Sequence, residues 1–369
     1  MLGILTILII AIKVILAFSA LIIIHEFGHF VIAKISGVWV EEFGMGLPPR
    51  IFGKKIGETL YSLNWLPIGG FVKLHGETSS DEVVYPERAF TNKKPLTKIA
   101  ITIAGIVMNF ILAIACFAIV YSFVGIPEVK VTGTSLNSPA QTAGIKKGDT
   151  FKKVNGNIIL SVADLQTEIS KVKGKKTEIE IIRDAKNINF QVVPRTNPPQ
   201  DEGSLGVMIS DETFFPPVWQ RPFVASFYAS LQTYNLGKAI IFGLGSAAQS
   251  VGHGQAPKGL TGVVGIIALF ISFAKIGILP LINLVGVISV NLAIINIIPF
   301  PPLDGSRIAL TIVEWITKKK MTAKLEEKVY LVGFVVLIGL TILITTHELP
   351  ALIKSGSLNN YTNQLLEQK

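Results

Sequence analysis

Residues 2–29 read LGILTILIIAIKVILAFSALIIIHEFGH, and how this stretch is read decides the fold. From Leu2 to Ile24 the run is almost wholly apolar, with Lys13 its only charge. Its length exceeds the roughly 20 residues that a helix needs to cross a bilayer. The run ends in His25-Glu26-Phe27-Gly28-His29. Residues four apart on a helix share a face, so His25 and His29 stand one turn apart. That is the spacing a zinc ion needs, with Glu26 beside them to activate a water. The bland alternative is that the three groups merely pair with one another. Titratable side chains are costly in hydrocarbon, however, and are kept together there for use. A hydrolytic metal motif inside a span points to peptide-bond cleavage within the membrane.

Composition agrees with a membrane protein. Half of the 369 residues are apolar and 16% are charged, which is too greasy for an ordinary soluble enzyme. The hydrophobicity is uneven, indicating several spans around a water-soluble insert. The single cysteine, Cys116, lies in an apolar run, which excludes a disulfide framework and a cysteine metal site. The net charge of +9 is spread through loops, with no block dense enough for nucleic acid, and its lysines read as membrane-flanking and solvated. The first run lacks a basic start and a small-residue cleavage site, so it is expected to stay attached.

Four segments qualify as spans, at about 2–34, 97–124, 276–299 and 329–346, and a shorter apolar stretch at 260–275 is expected to insert partly or to pack. The expected fold class is an α-helical polytopic membrane protein of about four transmembrane helices, with a membrane-dipping β-hairpin and one inserted β-rich domain. Its divisions are 1–126, the insert at 127–196, a linker with an amphipathic surface helix over 197–275, and a second membrane half at 276–369. Basic residues gather between the first two spans (Arg50, Lys54, Lys55, Arg88, Lys93, Lys94) and between the last two (Arg307, Lys318, Lys319, Lys324, Lys328). Both loops are therefore placed in the cytoplasm, with both termini and the insert outside, and with His25 and His29 towards the cytoplasmic side of the lipid bilayer.

The insert has alternating runs such as EIEIIRD and INFQVVP between Gly, Asn and Asp turns, the pattern of short strands. Within it Ser138-Pro139-Ala140, Ala143-Gly144-Ile145, Gly148-Asp149 and the Asn155-Gly156 turn resemble a PDZ domain. That resemblance implies a peptide or protein C-terminus bound along a sheet edge, against the simpler role of a rigid spacer. Residues 57–74 (GETLYSLNWLPIGGFVKL) alternate like a hairpin, with Gly69-Gly70 expected at its bend.

A hydrolytic zinc site takes three protein ligands and leaves one position for water. His75, His253 and His347 fall in loops or outside the membrane, and Glu41 and Glu42 follow His29 too soon and on another face. Asp304 remains, in Asn296-Ile-Ile-Pro299-Phe-Pro301-Pro302-Leu303-Asp304-Gly305, just past a span and behind helix-breaking prolines.

HEFGH in the first span, together with N-x-x-P-x-P-x-L-D-G in a later one, resembles the site-2 protease family of intramembrane zinc metalloproteases. The order of parts is similar to its bacterial branch that regulates envelope stress. The resemblance implies zinc held by His25, His29 and Asp304, Glu26 as general base, and Asn296 in substrate positioning. Asn109, Gly69 and Gly70 are assigned to the same positioning role. It also implies a bacterial inner-membrane enzyme that cleaves single-span transmembrane proteins, after a first extracytoplasmic cut, with the PDZ domain as gatekeeper. The chain departs from the family in having Gly105-Ile106 before Asn109, Gly305-Ser306 after Asp304, and Leu260-Thr261-Gly262-Val263 in place of a Ser-Gly-Pro segment. None of these changes removes a catalytic atom.

Two other readings compete. A PDZ-bearing membrane scaffold or chaperone with a vestigial metal site leaves the intact Glu26 without purpose. A metal transporter would want further carboxylates or histidines along the other spans, and these contain almost none.

Overall fold

The computed structural model describes residues 2–78, 81–184, 186–252, 261–319 and 321–367. The chain forms two compact units, Met1–Phe117 with Ala229–Lys369, and Ala118–Tyr228.

The first unit is built on long apolar helices. Helix α1 (Leu2–Ile35) is followed by strands β1 (Val40–Ile56) and β2 (Thr59–Leu74) and then by α2 (Pro95–Val124). Among the described residues, four helical stretches are long and apolar enough to cross a membrane: Ile4–Ile35, Pro95–Val124, Ile278–Ile297 and Lys324–Lys354. Their outer faces carry large apolar side chains without protein cover, among them Ile4 (75% exposed) and Ile7 (69%), as lipid-facing helices require. Inside, Ala17 and Leu21 of α1 pack with Cys116, Leu269, Phe270, Leu281, Leu284 and Val285 in one buried cluster.

Strands β1 and β2 are joined by the two-residue turn Gly57-Glu58, where Ile56 pairs with Thr59 and Gly57 has φ +63°. Residues 42–45 partner 60–63 in the parallel sense and 70–73 in the antiparallel sense, so β2 reverses direction between Leu63 and Gly70. Gly69, with φ +114°, lies in this reversal, where the bend at Gly69-Gly70 is expected, and the Gly57-Glu58 turn is a further reversal that alternation does not mark.

The second unit holds an antiparallel sheet. Its strands are β3 (Ile126–Thr134), β4 (Thr150–Val154), β5 (Asn157–Ile158), β6 (Thr177–Arg183), β7 (Lys186–Val192) and β8 (Val207–Phe214). They run in the order β7-β6-β4-β3-β8, with β5 beside β4. Helix α3 (Pro139–Ala143) is capped by Ser138 and ends on left-handed Gly144, while α4 (Val162–Lys171) is capped by Ser161. Asp149, nearly fully buried, is held by Arg183 through Nε at 2.6 Å and Nη2 at 2.7 Å. Val129, Val131, Ile145, Phe151, Ile179 and Ile181 form the core. The insert runs beyond residue 196, because β8 pairs along β3 from Val207 to Phe214 and belongs to the same sheet.

After the sheet, α5 (Arg221–Gly252) leads back into the first unit. The apolar stretch expected from residue 260 begins outside the described residues and is helical as α6 (Val263–Ile276). Helices α7 (Ile278–Ile297), α8 (Asp304–Thr317), α9 (Ala323–Lys354) and α10 (Leu358–Glu367) follow. Lys13 reaches the carbonyl of Ala274 in the last turn of α6 with Nζ at 3.4 Å. A cation at a helix C-terminus is favourable, which gives this intramembrane lysine a partner.

Candidate metal centre

Helix α1 keeps its register through the apolar run, so His25 and His29 project from one face and their Nε2 atoms lie 3.2 Å apart. The Pro299–Pro302 segment ends α7 and starts α8 at Asp304, whose Oδ2 lies 3.0 Å from His25 Nε2 and 3.4 Å from His29 Nε2. Asp304 Oδ2 is buried yet makes no well-directed hydrogen bond, so three lone pairs converge on a common point. Ligand atoms bonded to zinc at 2.0–2.1 Å in a tetrahedron stand about 3.3 Å apart, and the observed separations bracket that value. The donor set fits zinc. Among the described residues no other group of three His, Cys, Asp or Glu side chains meets in this way.

The histidines are oriented from behind. His29 Nδ1 lies 2.8 Å from the Ile101 carbonyl, which accepts its proton and leaves Nε2 free for the metal. His25 Nδ1 lies 3.2 Å from Asn109 Nδ2, while Asn109 Oδ1 is buried without a partner. Exchanging the amide oxygen and nitrogen, which are alike in shape, lets Oδ1 accept from His25 Nδ1–H and fixes the same tautomer in His25. Asn109 is fully buried and its backbone carbonyl accepts from Ser289 Oγ at 2.8 Å, which joins α2 to α7. Its surroundings suit orientation of His25 rather than contact with a substrate.

Glu26 lines a cavity of about 210 Å³ together with His29, Phe71, Val72, Asp304 and Arg307. Gly70 of β2 comes close to it: a Cβ built there would lie 3.7 Å from Glu26 Cγ. Gly69 has φ +114°, a conformation that excludes most side chains. Asn296 sits half-buried in the last turn of α7 and is not among the described residues lining the Glu26 cavity.

The rejected candidates are engaged elsewhere. His75 is buried, with Nδ1 2.9 Å from Glu41 and Nε2 accepting the Tyr85 N–H at 3.1 Å, and Glu42 pairs with Arg50 at 2.9 Å. His253 lies outside the described residues, as does the side chain of His347. Reading the sequence missed the Ile101 carbonyl and the contact of Gly105 with the histidines. A backbone carbonyl leaves no mark in sequence, whereas Gly105 four residues before Asn109 was a usable signal for close helix packing.

Comparison with known proteins places these features in company. The family model described as Peptidase family M50 matches residues 13–340. A Clostridium perfringens protein named "Putative zinc metalloprotease" is 36% identical over 338 residues, covering 90% of this chain and 96% of the relative. A protein of the same name from Clostridium acetobutylicum is 34% identical over 336 residues, covering 90% and 95%. One from Staphylococcus aureus is 26% identical over 417 aligned positions, covering 91% and 96%.

Proposed function

The chain belongs to peptidase family M50 and is a zinc metalloendopeptidase of the membrane, and from that premise we propose that it cleaves the transmembrane segments of single-span membrane proteins at the His25-His29-Asp304 centre. The observation that carries this reading is the convergence of three ligand atoms from α1 and α8 beside Glu26. Zinc, when bound there, supplies the Lewis acidity that brings the pKa of water towards neutrality and polarises the scissile carbonyl. Glu26 takes the proton of the attacking water and later delivers it to the leaving amine. Asn109 and the Ile101 carbonyl keep both imidazoles in the ligating tautomer.

A peptide bond within a helix is shielded by its own hydrogen bonds, so the substrate must unwind before it is cut. The segment of β2 around Gly70 pairs with β1 on one side and approaches Glu26, and its free edge supports holding the unwound strand extended. The basic loops support a site opening to the cytoplasm, with the insert and termini outside an inner membrane.

The insert acts as a PDZ-type gate that admits substrates already trimmed outside. Support comes from a groove of about 400 Å³ between α4 and the edge strand β8, lined by Leu165, Ile169, Leu205, Val207 and Ile209. An extended peptide adds to such an edge while its side chains enter the groove. Gln166→Trp, on the groove wall, is expected to abolish peptide binding and to let untrimmed substrates be cut. Unchanged selectivity would remove the gate from this reading.

The deciding experiment measures zinc per purified chain and cleavage of a reporter span for the native protein, Asp304→Ala and Glu26→Gln. One zinc, lost in Asp304→Ala and retained in an inactive Glu26→Gln, is the expected result. Zinc indifferent to Asp304 would refute the site.

A further inference from the structure

Arg307 Nη1 lies 2.6 Å from Glu77 Oε1, joining the first turn of α8 to the segment just beyond β2. Neither end of this ion pair is loose. The other oxygen of Glu77, Oε2, accepts the Leu74 N–H at 3.3 Å and so ties the carboxylate to the end of β2. Arg307 follows Asp304 by three residues, which puts the two on one face of α8. Between them, Gly305 is pressed against the carbonyls of Ile297 and Ile298, where a Cβ would find no room. The start of α8 is thus blocked on the side of α7. Leu303 gives it no side-chain cap, and the Asp304 carboxylate is turned to the histidines.

The pair is also a shared wall. Glu77, Phe90 and Arg307 line both the 210 Å³ cavity that holds Glu26 and a neighbouring cavity of about 270 Å³ that reaches Lys98 and Tyr330.

We propose that Arg307 is a positioning residue for Asp304: its ion pair with Glu77 clamps the first turn of α8 to the end of β2 and keeps the carboxylate on the two histidines, a role that rests on Asp304 being the third zinc ligand. The clamp joins the strand that borders the catalytic cavity to the helix that carries the ligand. Any movement of β2 that admits a substrate is therefore felt at the metal. Removing one partner leaves an unpaired charge in a mostly enclosed place, so both single changes disturb the same contact.

The test uses the full-length protein in detergent, loaded with zinc or with cobalt. The rate of zinc loss to excess chelator is followed for Arg307→Gln, Glu77→Gln, the double variant and Asp304→Ala, together with the visible bands of the cobalt form. Each single variant is expected to lose zinc at least tenfold faster and to shift the cobalt bands. The double variant should be no worse than the poorer single one, because both act on one contact. Native rates and bands in both single variants would overturn the clamp, as would effects that simply multiply in the double variant. Zinc held at the native rate by Asp304→Ala would instead overturn the ligand assignment, so the two failures are distinct.

Discussion

Gly105 of α2 lies directly against the imidazole of His29: a methyl group built on it would stand 2.5 Å from Nε2 and Cε1 of that ring and 2.8 Å from His25 Cε1. Gly28 on α1 is likewise pressed on the Ala104 carbonyl. Two small residues thus let α1 and α2 approach closely enough for Ile101 and Asn109 to reach the histidines from behind. Gly105→Ala should displace His29 and lower zinc occupancy at least tenfold while leaving the helix content unchanged. Metal analysis beside circular dichroism checks this, and full zinc occupancy in the variant would show that the helices have room to give.

What the sequence made legible was the chemistry that resides in residue type and local spacing. His25, Glu26 and His29 lie within one turn and a half of helix, so their common face follows from helical geometry alone. Asp304 was reachable by elimination because the chain has few histidines to compete with it. The hairpin and its bend near Gly69-Gly70 are legible in the glycine pair and the alternation, but the second pairing of residues 42–45, with 60–63, is not something alternation can report. Strand β8 escaped notice because Pro194, Pro198 and Pro199 separate it from the alternating runs, so composition there suggests a linker. The Arg307–Glu77 pair joins residues distant in sequence, and neither carries a local mark of the other.

Asn109 offers a second check on the shell behind the metal. Its amide is the side-chain partner of His25 Nδ1, and its burial leaves no water to replace it. Asn109→Leu should weaken zinc binding by about 10- to 100-fold, the usual effect of losing an outer hydrogen bond to a ligating histidine. Asn109→Asp, which keeps an acceptor at that position, should bind zinc far better than the leucine variant. Equal affinities for native protein and Asn109→Leu, measured by competition with a chelating dye, would show that His25 needs no support from α2.

Glu58, at the hairpin turn, yields a pH prediction away from the metal. Arg88 Nη2 at 2.7 Å and Lys34 Nζ at 3.0 Å hold its carboxyl below the usual glutamate range, Arg88 first. A carboxylate with a lowered folded pKa stabilises the native state above its unfolded value of about 4.3, and that stability is lost as pH falls through the folded pKa. The pair is partly exposed, so the whole effect is at most about 1 kcal/mol. Glu58→Gln should lower thermal stability slightly at pH 7, and the difference from the native protein should shrink as the pH falls below the usual glutamate range and vanish once it is below the folded pKa of Glu58. A difference that persists at low pH would assign the loss to packing rather than charge.

The edge of β2 gives the last prediction, because there the backbone itself is argued to hold the substrate. Gly69 has φ +114°, and a Cβ there would also stand 3.1 Å from Leu47 Cγ. An L-residue in such a conformation costs about 1–3 kcal/mol, so Gly69→Ala should shift the strand away from the line that brings Gly70 beside Glu26. If the scissile segment is held extended on that edge, kcat/KM for a reporter span should fall by about 5- to 150-fold, since each 1.36 kcal/mol is tenfold in rate. Zinc content should stay at the native level, because Gly69 touches none of His25, His29 and Asp304. Loss of cleavage with the metal retained separates substrate holding from metal binding. Native kcat/KM in Gly69→Ala would mean that the unwound segment is held elsewhere in the cavity.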